Sequence, residues 1–255
     1  GGNSIVITGS TDWCANSYCG SSGDTVAFGA STVNTRVAFV ASLTFSATPT
    51  WEWSIGFGNS GTDSRGCAFT GSALIITGTY TSLTLGSTTF SAGTPWHSTT
   101  YPAQIFVASL AVSNQQWTWA AKIYKPYTHC YATAVAATAD AAVIAGYVKG
   151  LQASTPGATE LFNAASSTAS LSVATTYGDD DILVASIATA NGAWNWGVHA
   201  GGSMVDSARD VKITGNSIYV TGIFNYDYMA SGQTVSATFG DQPTVTTTFR
   251  KHVRG

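Results

Sequence analysis

The sequence contains four copies of a short phrase of strand-forming residues that ends in glycine, and one of them is Ile218-Tyr219-Val220-Thr221-Gly222. The other copies are Ile5-Val6-Ile7-Thr8-Gly9, Leu74-Ile75-Ile76-Thr77-Gly78 and Ala142-Val143-Ile144-Ala145-Gly146. The copies are spaced by roughly 70 residues, which is typical of an internal structural repeat. Branched and aromatic residues fit the pleated surface of a sheet, so the phrase predicts one β-strand in each of four similar units.

Three further phrases recur between the copies. An apolar run with a central Ala-Ser pair occupies 39–43, 106–110 and 183–187, and a Trp-x-Trp phrase follows it at 51–53, 117–119 and 194–196. A third phrase precedes the glycine phrase at 67–69, 130–132 and 206–211. Strand alternation predicts that both indoles of a Trp-x-Trp phrase lie on one face, where they fill the gap between units. Four short strands per unit are typical of β-propeller blades.

Composition excludes several classes of protein. Aromatic residues make up 12% of the 255 residues, which argues against disorder although only 9% are charged. The net charge of −3 disfavours a nucleic-acid partner. No apolar run approaches the roughly 18 residues that a membrane-spanning helix needs. The chain enters a strand-like run directly after Gly1-Gly2-Asn3, so we expect no signal peptide in it.

The third unit resembles a bacterial β-propeller repeat family often called SBBP. The match runs through Asp181–Ile187, Trp194–Gly202, Asp206, Gly215–Gly222 and Thr238–Gly240. The resemblance implies a secreted or surface protein and no defined set of catalytic residues. We therefore expect an all-β fold in one domain, residues 1–255. It would be a small propeller with blades at about 1–60, 61–123, 124–203 and 204–255, each of three to four antiparallel strands.

The predicted strands leave the terminal blades incomplete. Blade one has strands at 5–9, 37–43 and 51–57 but no candidate for an inner strand. Blade four has strands at 210–214 and 218–224, a degenerate third strand near 246–251, and no Trp strand. Open sheet edges are templates for pairing with another chain. The sequence therefore favours head-to-tail strand complementation between copies, which grows a filament when the contact does not close.

The leading functional prediction is a non-catalytic extracellular or cell-surface structural or adhesive subunit whose partner is itself. The predicted interface comprises Ile5, Val6, Ile7, Phe249, Arg250 and Lys251. The alternative is a carbohydrate-binding propeller lectin, because aromatic loop residues stack on sugars and also anchor protein interfaces. The candidate glycan or partner contacts are Trp13, Tyr18, Trp96, Tyr101, Tyr226 and Tyr228.

Four cysteines allow two disulfides. Cys14 and Cys19 flank a short loop and are predicted to pair. Cys67 and Cys130 begin inner strands of adjacent blades, which predicts a bridge between the blades if their Cα atoms lie within about 7 Å. Four free thiols in a reducing compartment are the alternative.

Little in the sequence points to catalysis or to a cofactor. Asp179, Asp180 and Asp181 form the densest run of charge and are a weak candidate for calcium, but a solvated turn is the favoured interpretation. The four histidines show no spacing typical of a metal site. Glu52 lies between two tryptophans, which is a poor place for a catalytic acid. We expect no enzyme activity and no cofactor.

Overall fold

The computed structural model describes residues 4–11, 25–34, 37–59, 61–91, 103–126, 128–149, 158–164, 166–173, 179–202, 204–224, 234–239 and 245–248, the last two ranges by their backbone alone. These residues form β-strands joined by turns and bends, and they contain no helix. The all-β prediction is therefore confirmed.

A unit of six strands repeats along the chain: an inner strand, the glycine-phrase strand, a two-stranded hairpin, the Ala-Ser strand and an outer Trp strand. The inner strands are β6 (Asp63–Phe69), β12 (Cys130–Ala137) and β18 (Ser207–Thr214). The glycine-phrase strands are β1 (Ser4–Ser10), β7 (Ala73–Tyr80), β13 (Ala141–Lys149) and β19 (Ser217–Ile223). The Ala-Ser strands are β4 (Ala38–Thr44), β10 (Gln104–Ala111) and β16 (Asp180–Ala188), and the Trp strands are β5 (Trp51–Phe57), β11 (Gln116–Tyr124) and β17 (Trp194–Gly201).

Each glycine-phrase strand is followed by a hairpin that the sequence did not predict. The hairpin strands are β2 (Thr25–Phe28) with β3 (Ser31–Asn34), β8 (Ser82–Leu85) with β9 (Thr88–Ser91), β14 (Thr159–Phe162) with β15 (Leu171–Val173), and β20 (Thr234–Phe239) with β21 (Val245–Thr248). The predicted third strand of blade four, near 246–251, is wrong. Its described part is β21, the second strand of a hairpin with β20. This hairpin extends the outer edge of β17, just as the hairpin β14–β15 extends the edge of β11.

The inner, glycine-phrase, Ala-Ser and Trp strands form four antiparallel sheets, and the hairpins β2–β3 and β8–β9 are two further two-stranded sheets. Sheet 1 is β1-β4-β5. Sheet 2 is β6-β7-β10-β11 and sheet 3 is β12-β13-β16-β17, each extended by the hairpin of the next unit. Sheet 4 is the pair β18-β19. Within sheets 2 and 3 the strands β6-β7-β10-β11 and β12-β13-β16-β17 lie side by side in the order in which their phrases follow one another along the chain.

The core lies between consecutive sheets, which pack face to face in chain order. We call the two faces of each sheet preceding and following, by the neighbour that each contacts. Leu74, Ile76 and Phe106 of sheet 2 face sheet 1, whereas Ile75 and Val107 face sheet 3. Val143 and Ala145 of sheet 3 pack against Ala208 and Val211 of sheet 4. Because both faces of these sheets are buried, both sets of alternating side chains along a strand must be apolar. This explains why the phrases are near-continuous apolar runs.

A β-bulge explains why the phrase ends in glycine. Every inner strand carries an extra residue opposite the phrase, at Arg65, Thr133 or Arg209. The bulge brings a backbone carbonyl of the inner strand against the glycine. A Cβ on Gly78 would lie 2.0 Å from the Asp63 oxygen, and one on Gly146 would lie 2.0 Å from the Tyr131 oxygen. The close approach therefore excludes any side chain at these positions.

A second bulge overturns the prediction that both tryptophans of a pair share a face. The register between the Ala-Ser strand and the Trp strand shifts at the middle residue of each Trp-x-Trp phrase. The extra residue reverses the alternation, so Trp117 packs toward sheet 1 and Trp119 toward sheet 3. The middle side chain reaches the serine strand: Glu52 accepts a 2.5 Å hydrogen bond from Ser42 Oγ, which explains its place between two tryptophans.

The second tryptophan of sheet 2 and the first of sheet 3 also join the two sheets by hydrogen bonds. Trp119 Nε1 donates to the Thr189 carbonyl in the turn between β16 and β17, at 2.8 Å. Trp194 Nε1 donates in the opposite direction to the Phe162 carbonyl of β14, at 3.0 Å. These two bonds fix how sheets 2 and 3 sit on one another, because each indole has an apolar body in the core and a single donor at its rim.

Candidate functional site at the two open sheets

Sheet 4 exposes a strand that the other units bury. All seven residues of β19 are exposed, whereas β7 is buried from Leu74 to Tyr80 and β13 from Ala142 to Gly146. The Ala-Ser strands β10 and β16 cover the second edges of β7 and β13. In the described part of the chain, β19 pairs with β18 alone. Its second edge therefore presents backbone N–H and C=O groups that no described strand pairs with.

The exposed side chains of β19 are apolar as well. Tyr219 is 60% exposed, and Ile218, Val220 and Ile223 are each more than a third exposed. The charges nearby belong to β18, where Lys212 Nζ lies 3.6 Å from the Asp210 carboxylate at the surface. An exposed pair of this kind contributes little to stability. The edge is thus an uncharged strand of high β propensity, the type that adds readily to another strand.

Sheet 3 is uncovered beside this edge. On its following face, Trp196 is 36% and Val198 is 46% exposed. The equivalent residues of sheet 2, Trp119 and Ala121, are buried because the outer strands of sheet 3 lie over them. Sheet 4 has no outer strands among the described residues. The open edge of β19 and the exposed part of β17 therefore mark the space that two outer strands fill in the other units.

Sheet 1 is open on its inner side. The edge strand β1 pairs with β4 on one side only, and no inner strand adjoins it in the part of the chain that the structure describes. Ile5 is 42% and Ile7 is 37% exposed on its preceding face. Val6 faces sheet 2, where the Cys67 thiol lies 3.9 Å from the Val6 carbonyl. The predicted interface residues Ile5, Val6 and Ile7 therefore lie on an edge strand; Phe249, Arg250 and Lys251 lie outside the described residues.

The predicted bridge between Cys67 and Cys130 is not formed, and both are free thiols. The two side chains point into different layers: Cys67 packs between sheets 1 and 2, and Cys130 lies between sheets 2 and 3. Burial raises the pKa of Cys130 to about 12 and also raises the pKa of Cys67. Both are therefore protonated core residues rather than reactive nucleophiles. Cys14 and Cys19 lie outside the described residues.

The aspartate run enters a strand instead of forming a turn. Asp180 and Asp181 belong to β16, where Asp180 pairs across the strands with Lys149. Asp181 is fully buried, and burial raises the pKa of Asp180 while Lys149 opposes that shift. Among the described residues, no three His, Cys, Asp or Glu side chains lie close enough to hold a metal ion.

A cleft of about 410 Å³ opens between the hairpins β8–β9 and β14–β15. Lys122 and Phe90 line it together with serine and threonine side chains. The Lys122 ammonium lies 4.4 Å from the centre of the Phe162 ring and 5.8 Å from that of Phe90. Burial lowers the pKa of Lys122, and Glu160 opposes that shift. The cation–π contact between the Lys122 ammonium and the Phe162 ring helps to hold the hairpin β14–β15 against β11.

The predicted glycan or partner contacts are not brought together by the described structure. Trp13, Tyr18, Trp96, Tyr101, Tyr226 and Tyr228 all lie outside the described residues. Among the described residues the exposed aromatic side chains are Phe45, Phe69, Trp196 and Tyr219, and the last two lie beside the open edge of sheet 4. Trp196 and Tyr219 both belong to repeated phrases, which predict that they are buried by packing. They are exposed because no outer strands of sheet 4 cover them among the described residues.

No family model matches the chain, and no curated protein matches it significantly. Within the described residues there is also no helix with the length and apolar character needed to cross a bilayer.

Proposed function

We propose that this protein is a non-catalytic structural subunit that assembles head to tail through its two open sheets. The observation that carries the proposal is the exposure of β19, since its sequence phrase is buried in β7 and β13. A strand with unpaired backbone groups and apolar side chains gains both hydrogen bonds and burial when a second chain adds to it. The other open sheet, sheet 1, presents different strands, so the contact joins unlike surfaces and repeats from copy to copy.

We propose further that the four sheets are blades of a propeller-like array. The inner strands follow one another from sheet to sheet: β6 lies beside β1 and β12, and β12 lies beside β18. This succession of inner strands, with the Trp strands farther out, supports an arrangement of blades around an axis. In this arrangement sheets 1 and 4 are the first and last of the described sheets.

An extracellular or cell-surface location belongs to the same proposal. It rests on the resemblance to SBBP-type repeats and on a surface with few charges. The free Cys67 and Cys130 supply no support for it.

The particle mass, measured by light scattering across a range of concentrations, and negative-stain electron microscopy test the proposal. The informative variant is Val220→Lys, because a charge on an edge strand opposes strand addition. Phe69→Lys is the matched control, since Phe69 is 45% exposed on β6 of sheet 2. We expect the wild type and Phe69→Lys to form extended particles and Val220→Lys to remain monomeric. Discrete monomers of the wild type at all concentrations would refute the proposal. Binding to a glycan array would then favour the lectin alternative.

A further inference from the structure

Two strands of this chain carry the same phrase but meet different partners. β1 pairs with the Ala-Ser strand β4 and lacks an inner strand among the described residues. β19 pairs with the inner strand β18 and lacks an Ala-Ser strand there. A complete sheet, as in sheets 2 and 3, needs one phrase strand with both neighbours. Sheet 4 thus holds the inner half of a sheet, and β4-β5 of sheet 1 is the outer half.

We propose that β19 of one copy replaces β1 beside β4 of a second copy, which completes the sheet β18-β19-β4-β5. This inference rests on the proposed assembly function and names the strands that form the joint. In this exchange, β1 pairs with β4 within one copy until the phrase strand of another copy displaces it. The exchange adds no new kind of contact, since every pairing in the joint already exists in sheets 2 and 3.

The existing registers define the register of the joint. In sheet 2, Gly78 lies opposite Phe106 and Ile76 opposite Ala108. In sheet 1, Gly9 lies opposite Phe39 and Ile7 opposite Ala41. By the same register Gly222 lies opposite Phe39, Val220 opposite Ala41, and Tyr219 opposite Ser42 of the second copy.

The glycine of the phrase leaves room for the phenylalanine ring of the Ala-Ser strand. A Cβ on Gly9 would lie 3.0 Å from the Phe39 ring, and a Cβ on Gly78 would lie 2.8 Å from the Phe106 ring. Gly222 leaves the same space, so the Phe39 ring of a second copy is accommodated when β19 replaces β1. The phrase in β19 is therefore matched to β4 at the position opposite Phe39.

The occupant is a second copy because the joint continues an interface that one copy already begins. Ala208 and Val211 of β18 pack on sheet 3. Beside them Trp196 and Val198 remain exposed. Within one copy the hairpin β2–β3 covers the preceding faces of β4 and β5, where Phe28 packs on Phe39 and Trp51. The exchange therefore displaces β2–β3 together with β1, and the freed faces of β4 and β5 then cover Trp196 and Val198, as the outer strands of sheet 3 cover Trp119. One contact surface thus spans the inner and outer halves of the sheet.

Cysteine cross-linking between two single variants tests the register. Tyr219→Cys and Ser42→Cys proteins are mixed, oxidised and separated without reductant. Cross-strand neighbours lie close enough for a disulfide. The matched control mixes Tyr219→Cys with Ser109→Cys, the equivalent serine in the complete sheet 2, where β7 already lies opposite Ser109. We expect a dimer band from the first mixture and not from the control.

A locked variant tests the displacement of β1. Val6 lies opposite Ser42, so an intramolecular disulfide in Val6→Cys/Ser42→Cys holds β1 on β4. The control lock, Ile75→Cys/Ser109→Cys, joins the equivalent pair in sheet 2. We expect the oxidised first lock to lose assembly and to regain it on reduction, while the control lock assembles in both states.

The outcomes separate the two proposals. If the oxidised lock assembles as well as its reduced form, the exchange is wrong although the assembly function stands. The same holds if wild-type particles form but the Tyr219→Cys and Ser42→Cys mixture gives no dimer. If the wild type forms no particles, both proposals fail.

Discussion

Gly146→Ala is expected to destabilise the protein through a backbone clash. The added Cβ would lie 2.0 Å from the Tyr131 oxygen and 3.1 Å from the Ala132 Cα, whereas ordinary contact begins near 3.4 Å. Both atoms belong to the backbone of β12, which is fixed by its pairing with β13. Relief therefore requires the two strands to move apart or the bulge to rearrange.

The magnitude follows from two opposing terms. Overpacking that shifts the backbone costs about 3 kcal/mol at the upper end of the usual range. Replacing glycine by alanine restores about 0.5–1 kcal/mol by restricting the unfolded chain. The net loss is about 2 kcal/mol, which lowers the melting temperature of a chain of this size by about 4–8 °C.

Thermal and urea unfolding followed by circular dichroism measure this loss. Gly9→Ala is the matched control, because it makes the same change in the same phrase, but its Cβ meets only the Phe39 ring, at 3.0 Å. A ring can shift at small cost, so we expect Gly9→Ala to lower stability by less than about 1 kcal/mol. Equal losses in the two variants would refute the assignment of the glycine to the inner-strand bulge.

Two side chains buried between sheets 2 and 3 supply three further predictions. Trp119→Phe removes the donor to the buried Thr189 carbonyl and is expected to cost about 1–3 kcal/mol in urea unfolding, with a smaller loss contradicting a role in joining the sheets. The Cys130 thiol should resist iodoacetamide at pH 8 until the protein unfolds, because it is fully buried; fast labelling of the folded protein would contradict its burial. Burial raises the pKa of Cys130 from 9.0 to about 12. The buried, protonated thiol therefore contributes fully to the free energy of unfolding below about pH 9, and this contribution is lost as the pH rises toward 12. The free energy of unfolding should therefore fall by about 1.4 kcal/mol per pH unit over that interval, a slope that Cys130→Ala should reduce.

The repeated phrases are sufficient to predict the strands of sheets 1 to 3 and their order. The predicted strands at 5–9, 37–43 and 51–57 correspond to β1, β4 and β5. Residue type decides these elements locally, because an apolar, branched run between turn residues favours an extended strand. The exposure of the candidate site at β19 required the structure, since its phrase is the same as that of the buried β7.

The wrong predictions concern features that strand alternation does not encode. The extra residue at Thr118 reverses the faces of Trp117 and Trp119, and nothing in a Trp-x-Trp phrase signals a bulge. The sequence predicts that Cys67 and Cys130 both begin inner strands and form a bridge, but Cys67 lies well inside β6 and the two side chains face different layers of the core. The order of the phrases predicts a third strand of blade four near 246–251. That prediction is wrong because the phrases give no sign of the hairpins between them, and residues 245–248 belong to such a hairpin.

Amide hydrogen exchange of β19 tests the central claim most directly, because it reports whether this strand gains backbone partners on assembly. The protein is compared as dilute monomer and as concentrated particles, with β13 as the internal reference, since both of its edges are paired already. We expect the amides of β19 that point away from β18 to exchange fast in the monomer and slowly in the particles, while β13 is slow in both. If β19 still exchanges fast when particles have formed, assembly uses another surface and the proposed joint through β19 is wrong.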